Sequence, residues 1–161
     1  MKQFSMARRA TLLMSVALLT ACASGVKLDD VDGANKGSGT DYSSQPWNDP
    51  KSPLFKRSVY FDFDSYAVKP EYQATLQAHA NYLKANKDRK IKIEGNTDER
   101  GTTEYNLALG QRRSEAVRKS LSLLGVSDSQ IEAVSFGKEK PKAEGSNEAA
   151  WQENRRADIA Y

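Results

Sequence analysis

The stretch EGNTDERGT, residues 94–102, sets Glu94, Asp98, Glu99 and Arg100 close together in a loop that also contains Gly95 and Gly101. Carboxylates at this density hold a metal ion, work as acid and base, or bind a cation. A choice among these needs the rest of the constellation. Beyond Gly101 the chain enters an apolar helical stripe of Leu109, Val117, Leu121 and Leu124, and Arg113 falls on that same face, four residues from Leu109 and four from Val117. An inward guanidinium does not give up its proton and is costly if left bare, so it calls for an anion nearby. Asp64, at the carboxyl end of an earlier alternating run, and Asp98 are the candidates. Two carboxylates facing one arginine suit a zwitterion, the acids taking an ammonium and the guanidinium fork a carboxylate. A structural Arg113 to Asp98 ion pair that closes the helix onto the loop fits the spacing equally well.

Alternation and periodicity indicate what must position these groups. Val59, Phe61 and Phe63 alternate with Tyr60, Asp62 and Asp64, as in a strand with one buried face. Pro70 suits a first helical turn, and Tyr72, Leu76, Ala80 and Leu83 repeat at helical spacing up to Asn86 and Lys87. Lys90 to Glu94 alternates again, which implies a right-handed crossover between two parallel strands. Thr103 or a neighbour should cap a long helix ending near Leu124 and closed by Gly125. A third strand over Ala133 to Phe136, a short helix over Asn147 to Gln152 and a fourth strand over Arg156 to Tyr161 complete the set. The expected fold is α+β, a two-layer sandwich whose mixed four-stranded sheet is covered on one face by two main helices. Ligands in open sheets gather beyond the carboxyl ends of parallel strands, where Asp64 and Asp98 both fall.

The net charge of +3 equals the contribution of Lys2, Arg8 and Arg9, so the remainder is formally neutral and no electrostatic case for a nucleic-acid partner remains. Those three residues head an apolar stretch with a small-residue end, the layout of a secretory signal over residues 1–21. The single cysteine, Cys22, closes the sequence Leu19-Thr20-Ala21-Cys22, which resembles the bacterial lipobox. That resemblance implies lipidation of Cys22 and an anchored, non-spanning protein, and Ala23 after the cysteine implies sorting to the outer membrane. Acyl chains anchor at about 0.8 kcal/mol per buried methylene. Residues 22–58 then read as the lipidated cysteine and a flexible tether, rich in Gly, Ser, Asp and Pro, with a span of about 30 to 35 Å. Trp47 and Leu54-Phe55 are its apolar exceptions and mark a stretch that docks on the domain of residues 59–161.

The run Gly95 to Thr102, with Tyr105-Asn106, Leu109-Gly110 and Arg112-Arg113, resembles the signature of the OmpA-like peptidoglycan-binding domain family. Phe136 to Pro141 and Asn154-Arg155-Arg156 continue the likeness in the same order, from Val59 to Tyr161. The resemblance implies noncovalent binding of the peptidoglycan stem peptide through meso-diaminopimelate, whose side chain ends in an amine and a carboxylate on one carbon. By that likeness Asp98 and Arg113 are the paired ligand residues, Asp64 is a further contact, and Phe63 and Leu109 wall the pocket. Asn96 stands where some relatives have histidine, and Asp62 where some have glycine. The resemblance also implies the Tol system as partner, especially TolB, with Glu99, Arg100 and Tyr105 as rim candidates.

Other readings are weaker. A glycosidase pair needs a carboxyl held near neutrality, and a neighbouring Arg113 would keep Asp98 ionised. No catalytic residue and no cofactor is therefore expected. A calcium site built from Asp62, Asp64, Asp98 and Glu99 is opposed by two arginines, and His79 has no cysteine or second histidine for zinc. Asn154-Arg155-Arg156 is expected to close the domain structurally, with a secondary ligand contact as the alternative, and Tyr60, Tyr66, Tyr72 and Trp151 to serve packing, Tyr66 lying near the proposed mouth. The alternative in a different functional class is a lipid-anchored protein-interaction module with wall binding secondary.

Overall fold

The computed structural model describes residues 45–161, which belong to one compact unit. The signal, Cys22 and the tether up to residue 44 lie outside the described residues.

Four strands form one sheet in the order β1-β4-β2-β3: β1 (Ser58–Tyr60), β2 (Ile91–Asn96), β3 (Ile131–Gly137) and β4 (Arg156–Ala160). The pair β2 and β3 is parallel, whereas β4 runs antiparallel to both β1 and β2. Consequently β1 and β2 point the same way, as the crossover implied, but β4 lies between them. Side chains alternate in the first half of β2, with Ile91 and Ile93 buried and Lys92 exposed. On β1 the expected alternation stops early. Val59 and Phe61 are buried, but the strand ends at Tyr60 and Phe63 is 61% exposed in a turn. The reversal is forced by Asp64, whose φ of 53° is left-handed, a conformation that Asp tolerates better than most residues.

Helix α1 (Gln73–Ala85) follows a 3-10 turn begun by Pro70, and α2 (Thr103–Leu123) is capped by Thr102, whose hydroxyl accepts from the Tyr105 amide. Helix α3 (Glu148–Asn154) is short and capped by the Asn147 side chain. The core joins Leu76, Ala80 and Leu83 of α1 and Val117 and Leu121 of α2 to Val59, Ile93 and Ile159 of the sheet. Burying each such aliphatic side chain contributes about 1.5–3 kcal/mol.

Contact between α2 and β2 is unusually close. A Cβ on Gly95 would lie 1.8 Å from the Gly110 carbonyl oxygen, so the two backbones meet only because neither carries a side chain. This crossing lowers the N-terminal half of α2 onto the loop after β2.

The stretch before β1 docks as the sequence indicated, in part. Trp47 and Leu54 are buried, while Phe55 is 45% exposed. The Trp47 ring stacks on Tyr161 with centroids 4.2 Å apart, edges against Tyr82, and lies under the Arg89 guanidinium. His79 is wholly buried beside it, with Nε2 3.0 Å from the Lys56 carbonyl and Nδ1 2.6 Å from the Tyr161 hydroxyl. Since a carbonyl can only accept, Nε2 carries the proton and Nδ1 accepts from Tyr161. This aromatic clamp sits where β4 ends, and the charged loop sits where β4 begins.

Candidate binding site

At that other end, Asp64, Asp98, Arg113, Phe63 and Leu109 line one small cavity, together with Thr97, Arg100, Tyr105 and Asn106. All five residues singled out in the sequence are thus brought together. Its volume, about 20 Å³, has room for roughly one water molecule.

Arg113 is entirely buried, as its place on the apolar stripe of α2 required. Its partners are not carboxylates. Nε donates to the Ser65 carbonyl at 2.8 Å, one Nη to the Asn96 carbonyl at 2.9 Å and the other to the Asp62 carbonyl at 3.1 Å. The structural Arg113 to Asp98 ion pair that the spacing allowed as an alternative is absent among the described residues. Carbonyls at the ends of β2 and of the β1 loop point their negative poles at the guanidinium, so an oriented backbone does what a counter-ion was expected to do. Burial lowers the Arg113 pKa to about 10, with Asp98 acting against that shift, and the side chain remains a cation at neutral pH. A guanidinium has five N–H donors, and those three bonds leave two for an incoming acceptor.

Asp98 is 4% exposed and paired with two other arginines. Its Oδ2 accepts from Arg100 at 2.6 Å and from Arg155 at 3.3 Å, and its Oδ1 accepts from the Arg100 amide at 3.2 Å. Burial raises its pKa, but the side-chain and backbone bonds from Arg100 and the bond from Arg155 outweigh this and hold it below the usual carboxylate range. The expectation that Arg113 keeps Asp98 ionised is corrected to that extent: Arg100 and Arg155 make the contacts. Asp64 is exposed at the mouth and accepts a hydrogen bond from the Tyr105 hydroxyl. Leu109 is 6% exposed and forms the cavity's apolar wall, and Phe63 stands at the rim.

Three further contributors were not singled out as site residues. Arg155, expected chiefly to help close the domain, also donates to the Phe61 carbonyl at 3.2 Å and to Glu148 at 2.6 Å, and so ties Asp98 to α3 and to the end of β1. Its neighbours do act structurally: Asn154 accepts from the amides of Lys142 and Ala143, and Arg156 pairs with Asp158 at 2.8 Å. Trp151, expected to be packing, lies with its ring 4.0 Å from the Arg100 guanidinium and donates its indole N–H to Glu99. Asn106 is 1% exposed and donates to the Arg100 carbonyl, pinning the loop to α2. For Asn106 the available signals were its i, i+3 relation to Leu109 on the stripe of α2 and its place in the family-like Tyr105-Asn106, and for Arg155 its place in Asn154-Arg155-Arg156.

A model of the OmpA family matches residues 60–155, and the chain belongs to that family. Relatives resemble it over most of its length. The peptidoglycan-associated lipoprotein of Pasteurella multocida is 46% identical over 147 residues, covering 91% of this chain and 92% of the relative. That of Pseudomonas aeruginosa is 38% identical, with 99% of each chain covered. The crystal structure of the peptidoglycan-associated lipoprotein from Burkholderia pseudomallei is 69% identical, with a TM-score of 0.71, and covers 73% of this chain and 99% of that one. The C-terminal domain of Helicobacter pylori MotB, 23% identical with a TM-score of 0.58, covers 63% of this chain and 81% of that one and shares the fold alone.

Proposed function

We propose that the protein is an outer-membrane lipoprotein, anchored through Cys22, whose periplasmic domain binds peptidoglycan noncovalently and ties the membrane to the wall. The ligand group is the amine and carboxylate end of meso-diaminopimelate in the stem peptide. The observation that carries this reading is the convergence of Asp64, Asp98 and Arg113 on one cavity, two carboxylates for the ammonium and two free guanidinium N–H for the carboxylate. The names of the relatives support it. A binding role also agrees with the state of Asp98, since a carboxyl held low by arginines is poorly suited to donate a proton.

The proposal extends to the Tol system, with TolB as partner and with roles in envelope integrity and cell division, on the strength of the family likeness of the loop and of α2. Mutual displacement of TolB and a soluble stem peptide is the expected result if they share this surface.

Retention on purified sacculi tests the central claim. Asp64 is exposed and Asn tolerates its left-handed backbone, so Asp64→Asn should weaken retention with no change in melting temperature. Undiminished retention in both Asp64→Asn and Asp98→Asn would remove the site from this role.

A further inference from the structure

A cationic side chain of the protein lies on one of the two carboxylates that line the cavity. Arg100 reaches from the loop so that its Nη2 lies 2.6 Å from Asp98 Oδ2, the contact expected of a ligand ammonium. Its guanidinium lies 4.1 Å from the Phe63 ring and 4.0 Å from the Trp151 ring, held between two aromatic faces.

The two arginines on Asp98 differ in how firmly they are held. The Arg155 side chain is 6% exposed and bonded through Nε, Nη1 and Nη2 to three separate groups. The Arg100 side chain is 32% exposed, bonds through Nη2 only, and its Nε is buried without a partner. It also precedes Gly101, whose φ of +94° lies in a region that favours glycine. A buried donor without a partner is costly, so the closed position carries an unmet bond that withdrawal into solvent would restore. Thr97 Oγ1, on the cavity wall, is likewise buried and unpartnered.

We infer that Arg100 is an internal competitor for the cation subsite, which must leave Asp98 before a ligand ammonium can take its place. This rests on the binding site assigned under Proposed function. Arg100 then sets affinity as well as access, because a site competent only when the arginine has withdrawn binds more weakly by the fraction of time it is open. Phe63 and Trp151 hold the closed form, and their rings become free faces at the mouth when the guanidinium departs.

The test is the affinity of a soluble stem peptide ending in meso-diaminopimelate, measured by calorimetry on the wild-type domain and on Arg100→Gln. Removal of the competitor should tighten binding about tenfold or more, the gain expected when a form closed about nine-tenths of the time is abolished. Equal or weaker binding by Arg100→Gln, with the wild type binding, overturns the inference and makes Arg100 a ligand contact or a bystander. Failure of both proteins to bind instead overturns the site assignment itself. A second readout does not depend on the variant. The chain has two tryptophans, and the indole N–H resonance of Trp151 should shift when ligand enters the wild type, while that of Trp47, at the other end of β4, stays in place. An unmoved Trp151 resonance at saturation also overturns the inference.

Discussion

Gly95 and Gly110 touch backbone to backbone, and a Cβ on Gly110 would stand 2.3 Å from Ser135 Oγ and 2.9 Å from the Gly95 carbonyl oxygen. The binding site depends on this contact, because Asn106, Leu109 and Arg113 all lie within about a turn of Gly110 on α2. Replacing Gly95 with alanine drives a methyl into a carbonyl that cannot swing aside, and should cost about 3 kcal/mol or more. Gly110→Ala meets a side-chain hydroxyl first, so Ser135→Gly should recover part of its loss, a coupling that denaturation of the single and double variants measures.

Asp98 is expected to support the fold as well as the site. Its side chain and that of Arg155 are both nearly inaccessible, and Asp98→Asn should destabilise the domain at neutral pH by on the order of 3 kcal/mol. The folded carboxyl titrates below its unfolded value of about 3.9, so its contribution is present above that pH and lost as pH falls through the folded value. Urea denaturation of wild type and variant should therefore converge below about pH 4. A gap that persists unchanged to about pH 2 would show that the charge is not responsible.

His79 supplies a separate acid sensitivity at the far end of the sheet. Burial lowers its pKa, the Lys56 carbonyl acts against this, and Arg57 adds to the lowering. For a base held neutral by the fold, protons bind the unfolded chain more readily, and stability falls as pH drops below the unfolded value of about 6.5. Melting temperatures measured from about pH 7.5 to about pH 5 should decline in the wild type and decline less in His79→Asn. Parallel curves would place the sensitivity elsewhere.

Trp47 packs as a member of the domain. Its stacking on Tyr161 and its burial lead us to expect a loss of about 3 kcal/mol in Trp47→Ala. Because the clamp and the binding loop lie at opposite ends of β4, the affinity for stem peptide should be unchanged in the folded variant. Altered affinity would show that the two ends are coupled.

Much of this was readable from one dimension. The stripe of α2 identified Arg113 as inward, because residues four apart share a face whatever lies opposite, and it is wholly buried. Turn chemistry at Gly125 and capping near Thr103 marked the ends of that helix to within a residue or two. The identity of Arg113's partners was not readable: spacing shows that a buried guanidinium needs negative poles, and carbonyls carry no sequence signature. Phe63 misled, since period two speaks only for as long as the strand continues, and the left-handed turn at Asp64 ended it.

Local backbone geometry accounts for what the order of residues could say: which side chains face inward on each element, that two acids fall just beyond strand ends, and that an arginine lies on the buried stripe of α2. It has no hold on the meeting of Arg155 and Trp151 with Asp98 and Arg100, across separations of more than fifty residues. That meeting depends on β4 inserting between β1 and β2 and on α3 leading directly into it, a long-range arrangement that comes from packing the whole core and that no short spacing encodes.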